Sequence, residues 1–488
     1  MNALISVILL PAIVGTIAYF ITSDKLRRWL WGIAAFIHLV LSVYASFIAP
    51  HLINNPWIGM DALSALFLPL TSLLFMMVTI YGWGYLTREP ADQAPDLESD
   101  GILKNTPESV FTGSLLLFLS TMSLAILSRH FGLQWMAIEA TTLASAPLIY
   151  YHQNSNSLSA AWKYLILCSV GIAVALMGIF FIGLAMPTGS GDITLAELLK
   201  HASRLNHKWL QVAFILMLVG YGTKMGLAPM HNWLPEAHSE SPSPVSALLS
   251  GALLNCAFLG ILRVQQVCTA SGIAAFGQEL LILFGLISMG IAAIFLLGQV
   301  DYKRMLAYSS VEHMGILALG VGIGGLGIFG ALLHAINHSI VKAMLFLTAG
   351  NIHGRFHTKR FAKITGLGKL MPITGILWFA GFLAIVGSPP FGLFISEFTI
   401  LRAGIAQHLW LAIALFMIFL ILAFIGMANV FMHMFFGKSE QIPRRENRGG
   451  VIPIFVFALL ALMLGLWIPG WLTNAISQAA LLLSGAVN

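Results

Sequence analysis

Fourteen apolar segments dominate this sequence, and each is long enough to cross a lipid bilayer as a helix. A membrane-spanning helix needs about 20 mostly apolar residues. Only 9% of the 488 residues are charged, whereas soluble proteins carry about 25%, so a water-soluble fold is excluded. We predict an all-α polytopic membrane protein with about 14 transmembrane helices. The segments are 2–22, 29–49, 61–86, 110–128, 131–151, 160–185, 208–229, 243–268, 275–298, 303–321, 325–349, 371–401, 410–435 and 451–472.

Glycine and proline interrupt two of these segments. Gly226 and Pro229 lie in the seventh segment, and Gly387, Pro389 and Pro390 lie in the twelfth. Proline has no backbone N–H to donate and its ring clashes with the preceding helical turn, so it kinks or ends a helix. We therefore predict a broken helix at each of these two places.

The basic residues of the loops lie mainly on one side of this topology. Sixteen of the 25 Lys and Arg residues fall in loops after odd-numbered segments, and six fall after even-numbered ones. Cytoplasmic loops carry the excess of Lys and Arg, so we predict a cytoplasmic first loop and both termini on the outer side. The net charge of +6 is thus an orientation signal and does not indicate binding to nucleic acid.

Six ionisable side chains lie within the apolar segments. Each costs about 2.5–3.5 kcal/mol at the centre of a membrane helix, so such residues are paired or face a water-filled path. A single Lys–Glu pair is also compatible with a structural clamp between helices, but six charges favour a functional line. The six are Glu139, Lys163, Lys224, Glu312, Lys342 and Glu397.

Two histidines extend this line. His334, His338 and Lys342 are spaced four residues apart, which places them on one face of a helix. Imidazole exchanges protons near neutral pH, so this stripe can continue a proton path between Lys224 and Glu397.

The spacing of the charges predicts an internal repeat. Glu139 and Lys224 are 85 residues apart, as are Glu312 and Glu397. Two halves of five helices, each with its broken helix in fourth position, would be inverted relative to each other, as in many transporters. We predict an N-terminal three-helix segment at 1–109, a first repeat at 110–270, an inverted second repeat at 271–436, and a C-terminal helix with a short tail at 437–488.

Motifs for cofactors are missing from the sequence. Cys168, Cys256 and Cys268 form no C-x-x-C pair, so a cysteine-ligated cluster is not indicated. A G-x-G-x-x-G run at 322–327 joins two apolar segments with no strand before it, and there is no Walker A sequence. We predict no cofactor and no bound nucleotide, and we expect any redox centres to belong to partner subunits.

Several runs resemble one superfamily of membrane proteins. Residues 224–239, KMGLAPMHNWLPEAHS, resemble the signature of the antiporter-like subunits shared by respiratory complex I, multisubunit cation/proton antiporters and membrane-bound hydrogenases. Supporting matches are the runs at 301–310, 338–347 and 387–398. Within this superfamily, the runs at 243–255 and 309–315 most resemble component F of hydrogenase-4.

The resemblance implies roles for particular residues. Glu139 would be the acidic partner on helix five, Lys224 the central switch on helix seven, and Lys163 its neighbour on helix six. Lys342 would be the central lysine of helix eleven and Glu397 the terminal acid of helix twelve. His231 and His238 lie in the signature run and are candidates for proton uptake.

One position departs from the complex I pattern. Asn255 stands where helix eight of complex I subunits often carries a lysine. An amide can hold water by hydrogen bonds, but it does not carry a proton at neutral pH. We therefore expect the link between the two halves to run through water and the histidines of helix eleven.

The resemblance also implies a setting for the chain. We expect a multi-pass subunit of a prokaryotic inner membrane, embedded in the lipid bilayer beside other membrane subunits of a hydrogenase-like or complex I-like assembly. A peripheral redox arm would supply the driving force, so the chain would move protons and would not be catalytic alone. The alternatives are a Na⁺/H⁺ antiporter subunit, the equivalent pumping subunit of an NADH:quinone oxidoreductase, and a purely structural scaffold.

Overall fold

The computed structural model describes residues 3–47, 55–87, 105–187, 191–437, 446 and 448–485. These ranges are helical, with three isolated β-bridges between loop residues. The helices are α1 (Ala3–Phe20), α2 (Asp24–Phe47), α3 (Ala62–Leu86), α4 (Glu108–Leu127), α5 (Phe131–Ile149), α6 (Ser155–Ala185), α7 (Leu195–Lys200), α8 (His207–Met225), α9 (Trp233–Glu240), α10 (Ser243–Leu248), α11 (Leu254–Ala270), α12 (Ala274–Leu296), α13 (Tyr302–Ile323), α14 (Leu326–Phe356), α15 (Leu367–Leu370), α16 (Pro372–Ile385), α17 (Gly392–Ala406), α18 (Trp410–Phe435), α19 (Arg448–Leu466) and α20 (Gly470–Ser484).

Each of the fourteen apolar segments contains helix, so the all-α polytopic fold is confirmed. Ten helical spans in the described ranges are long and apolar enough to cross a membrane. The other four segments correspond to α1, to α5, to α8, and to α16 with α17. The chain is therefore a multi-span membrane protein.

Both predicted helix breaks are present. The first separates α8 from α9, and Gly226 there adopts a φ of +85°. The second separates α16 from α17, and Gly387 adopts a φ of +64°. A positive φ is accessible to glycine without steric cost, which explains why a glycine opens each break. Each break also contains a cis X–Pro bond.

Two helical features differ from the sequence prediction. A turn of π-helix at Leu249–Leu253 separates α10 from α11, although the sequence there reads as a continuous apolar segment. The short tail predicted beyond residue 472 contains a helix that was not predicted, because Gly470–Ser484 forms α20. Its buried residues Leu472, Ile476, Ala479 and Leu483 recur at helical spacing, so one face of α20 packs on the bundle. The sequence does not show the break between α19 and α20, because the apolar run continues through Pro469.

Two loops fold back in the same way. One β-bridge joins His130, the N-cap of α5, to Thr194 in the loop after α6. Another joins Asp301, the N-cap of α13, to Arg360 in the loop after α14. Both α6 and α14 contain 31 residues. We call these two bridges the loop latches; they occur at matching places in the two predicted halves, as a repeat requires, while the domain boundaries themselves stay a prediction.

A buried ion pair ties the N-terminal helices to the rest of the bundle. Arg263 on α11 forms an ion pair with Asp61, the N-cap of α3, and its Nη2 donates to Ser64 Oγ at 3.1 Å. The Arg263 side chain is 2% exposed and that of Asp61 10%. Removing one partner of such a pair leaves the other charge desolvated and uncompensated.

We expect Arg263→Ala to lower the free energy of unfolding by about 3–5 kcal/mol. Thermal melting of the purified protein in detergent would measure this as a lower Tm. Arg402→Ala is the matched control, because Arg402 is exposed and its loss should leave the Tm nearly unchanged. Equal melting of the two variants would show that the ion pair contributes little.

Candidate functional site

Lys224 lies at the end of α8, immediately before the first helix break, and is fully buried. Its Nζ donates to Thr142 Oγ1 of α5 at 2.8 Å and to the Tyr164 hydroxyl of α6 at 2.6 Å. It also lies 4.4 Å from the centre of the Tyr164 ring, where the electron-rich face attracts a cation. Two hydroxyls and an aromatic face thus replace water around this amine.

Thr142 also connects Lys224 to Glu139. The Thr142 hydroxyl donates to Glu139 Oε2 at 3.3 Å, and Ser169 of α6 donates to Oε1 at 2.6 Å. Glu139 itself is half-buried. The two charges predicted to interact are therefore brought together through one hydroxyl, which accepts from the amine and donates to the carboxylate.

The structure does not place Lys163 beside Lys224. Lys163 is 51% exposed, and its Nζ lies 2.7 Å from Glu236 Oε2 of α9. Consecutive residues on a helix point about 100° apart, and Tyr164 takes the inward position on α6. The interpretation of Lys163 as a buried neighbour of Lys224 is thus corrected to an ion pair on the outside of the bundle.

Two polar contacts near the π-helical turn join the first predicted half to the second. Asn255 Nδ2 of α11 donates to Ser339 Oγ of α14 at 2.8 Å and to the Gly251 carbonyl at 3.0 Å. In the π-helical turn, Ser250 Oγ lies 2.8 Å from Ser310 Oγ of α13. Asn255 Oδ1 is buried and has no hydrogen-bond partner among the described residues, so the junction keeps an acceptor free for water.

Lys342 is a fully buried lysine of the second predicted half. It lies on α14, and its Nζ donates to the Leu306 carbonyl at 2.6 Å and to Ser309 Oγ of α13. Glu312 is 2% exposed and interacts electrostatically with Lys342. Ser309 and Glu312 are three residues apart and share a face of α13, and Ser309 Oγ on that face accepts from the amine.

Histidines lead from Lys342 toward the second helix break. His313 Nδ1 lies 2.9 Å from His334 Nε2, and His334 Nδ1 lies 2.9 Å from Ser396 Oγ of α17. The rings of His313 and His338 have centroids 5.2 Å apart. His313 was not predicted from the sequence, because it directly follows Glu312 and belongs to no helical stripe of polar residues.

Glu397 closes this series on α17 and is 7% exposed. One donor atom each from His313, His334 and Glu397 lies within 4.8 Å of the others. A Cβ on Gly387 would lie 2.0 Å from Glu397 Oε2, so only glycine at the break leaves space for this carboxylate. The glycine of the second helix break therefore provides the space that the Glu397 carboxylate occupies.

The two candidates for proton uptake are both enclosed. His231 lies in the first break and is 4% exposed. His238 on α9 is fully buried, stacks on Phe346 with ring centroids 5.0 Å apart, and has no hydrogen-bond partner for either nitrogen among the described residues. A role for either one in proton uptake stays a prediction.

Sequence comparison identifies the family. The family described as NADH:quinone oxidoreductase/Mrp antiporter, transmembrane, matches residues 128–426. The hydrogenase-4 component F homolog of Methylacidiphilum infernorum (isolate V4) is 35% identical over 475 residues, covering 95% of this chain and 96% of the relative. The fold and the buried lysines thus define an antiporter-like membrane subunit.

The chain belongs to the NADH:quinone oxidoreductase/Mrp antiporter transmembrane family. The same fold occurs in the archaeal membrane-bound sulfane sulfur reductase, with TM-score 0.87, 21% identity and coverage of 99% of this chain and 97% of the other. It occurs in the Mrp complex from Dietzia sp. DQ12-45-1b, with TM-score 0.83, 20% identity and coverage of 100% and 98%. For respiratory complex I from Thermus thermophilus the values are 0.82, 23%, 99% and 100%. The predicted resemblance is confirmed.

Proposed function

We propose that this chain is the proton-translocating membrane subunit of a hydrogenase-type oxidoreductase complex. The observation that carries the proposal is the pair of fully buried amines, Lys224 and Lys342, each surrounded by hydroxyl or carbonyl groups. Lys224 is also linked to Glu139 through the Thr142 hydroxyl. A purely structural subunit would not require such desolvated charges, because burying them costs free energy unless they are compensated. A pathway for protons does require buried groups that bind and release them.

The chemistry of the first half suits a switch. A nearby carboxylate favours the charged form of a desolvated amine, and loss of that negative charge favours the neutral form. Glu139 reaches Lys224 through the Thr142 hydroxyl. Loss of the negative charge at Glu139 would therefore favour release of a proton from Lys224, and its return would favour proton uptake. Glu139 is half-buried, so its carboxylate is partly accessible.

Protons would then pass to the second half through water at the junction. Asn255 holds the Ser339 hydroxyl with its Nδ2 group and leaves Oδ1 free. Ser339 lies three residues before Lys342 on α14, so the two share a helix face. From Lys342 the line continues through Glu312 and the histidines to Glu397.

Nitrogen donors favour proton over sodium as the transported ion. The buried line is built from lysine and imidazole groups, which bind and release protons, whereas hard cations prefer clusters of oxygen ligands. The partner subunits proposed here follow from the relative named as a hydrogenase-4 component and from the fold shared with respiratory complex I. The predicted orientation, with both termini outside a prokaryotic inner membrane, belongs to the same proposal.

Reconstitution distinguishes this function from independent Na⁺/H⁺ exchange. The complex that co-purifies with the chain is expected to acidify or alkalinise liposomes when its electron donor is added, measured with a pH-sensitive dye. The chain alone should show no proton movement in response to a sodium gradient. Sodium-driven proton movement by the isolated chain would overturn the proposal in favour of an antiporter, and a co-purifying complex without redox activity would overturn the hydrogenase assignment.

A further inference from the structure

A second type of ligand fits the end of the proton line. His313, His334 and Glu397 each offer one donor atom, and these atoms lie within 4.8 Å of one another. The three side chains are 1%, 0% and 7% exposed. We propose that this triad binds a divalent transition-metal ion of the Zn²⁺ type.

The triad has unmet bonding capacity. Glu397 Oε1 is buried and has no hydrogen-bond partner among the described residues. Buried polar atoms almost always have a partner, so this carboxylate oxygen calls for a water or an ion. A cation held by the three donor atoms of the triad would satisfy it.

The donor types select the ion. Two imidazoles with one carboxylate are a set that Zn²⁺ uses, with a further position open to water. Mg²⁺ and Ca²⁺ prefer oxygen ligands throughout. His313 Nδ1 and His334 Nε2 lie 2.9 Å apart, and tetrahedral Zn–N bonds of about 2.0–2.1 Å need these atoms only slightly further apart. Ser396, which bonds the other nitrogen of His334, would fix that ring as an outer partner.

The first predicted half holds a positive charge at the matching place. Lys163 is the ninth residue of α6, and His334 is the ninth residue of the equally long α14. Glu236 and Glu397 each lie ten residues after the positive-φ glycine of their helix break. The two breaks therefore match Glu397 with Glu236, and not with Lys224 as the spacing of 85 residues suggested. In the first half the ammonium of Lys163 lies 2.7 Å from Glu236. In the second half an imidazole replaces the ammonium, and a metal ion would supply the missing charge beside Glu397.

Such an ion would block proton transfer at the end of the line. It would occupy Glu397 and two of the histidines that carry protons away from Lys342, so metal binding and proton passage would exclude each other. The metal site goes beyond the proposed function, and binding is measurable without any transport assay.

Optical titration with Co²⁺, which reports nitrogen and oxygen ligation through its visible bands, tests the inference. The full-length chain with its co-purifying partners, carrying a tag free of histidine, is expected to show tetrahedral Co²⁺ bands that saturate at one equivalent and disappear when Zn²⁺ is added. Glu397→Gln and His334→Gln should each weaken binding at least tenfold. His38→Gln is the matched control, since His38 is equally buried and is bonded only to Ser72 and Ser123.

A second measurement covers variants that fold poorly. Zn²⁺ is expected to raise the Tm of the unmodified protein in a concentration-dependent way, because a ligand that binds only the folded state stabilises it. Absence of the tetrahedral bands in the unmodified protein, or their survival in Glu397→Gln, would overturn the proposal and leave the triad as a proton relay only. So would a Tm that does not respond to Zn²⁺.

Discussion

Replacing Lys224 with alanine is expected to reduce proton translocation to background while electron transfer by the partner subunits to an artificial acceptor continues. The amine donates to both the Thr142 and the Tyr164 hydroxyl, and alanine leaves no group at that point that can hold a proton. Dye quenching in liposomes measures the first quantity, and reduction of a soluble acceptor measures the second.

Lys163→Ala is the control for this experiment. Lys163 forms an ion pair with Glu236 on the outside of the bundle and is not among the hydrogen-bond partners of Lys224, so we expect near-normal translocation. Unimpaired translocation by Lys224→Ala would remove Lys224 from the pathway. Equal inactivation by both substitutions would instead favour the role that the family resemblance implied for Lys163.

Replacing Asn255 with leucine is expected to lower proton translocation at least tenfold without preventing assembly of the chain. Leucine has a similar shape, but it can neither donate to Ser339 nor offer the free oxygen that Asn255 presents. An apolar side chain at the junction would interrupt the water between Lys224 and Lys342. Translocation by the assembled complex in liposomes measures the effect, and gel filtration confirms assembly.

Ser250→Ala separates the two contacts across the junction. Ser250 meets Ser310 beside the π-helical turn, and its loss should have a smaller effect than Asn255→Leu. The reverse order of severity would place the route through the serine pair and would contradict the proposed role of Asn255.

The sequence was sufficient for those parts of the fold that depend on simple physical limits. The bilayer sets the length of an apolar segment, and proline cannot continue a hydrogen-bond ladder, so the spans and the breaks at Gly226 and Gly387 followed from the residues. Lys224 and Lys342 were also identified, because a lysine in an apolar run stands out in any sequence.

The features that the sequence did not predict depend on the direction in which a side chain points and on contacts between helices. Nothing in the sequence distinguishes the inward Tyr164 from the outward Lys163, since the two are adjacent on α6 and the helix is apolar nearly all round. Thr142 and His313 take part in the site through partners on neighbouring helices, and the sequence alone does not show those contacts. The π-helical turn at Leu249–Leu253 adds one residue to one turn, and the surrounding apolar pattern does not show it.

The loop latches have an evolutionary consequence. Backbone pairing makes no demand on side chains, so the same latch accommodates His130 with Thr194 in one place and Asp301 with Arg360 in the other. In the predicted repeat, a frame held in this way would survive substitutions that erase visible similarity between the two halves. Each half could then change its chemistry, with a lysine–glutamate pair in the first and an imidazole–glutamate group in the second.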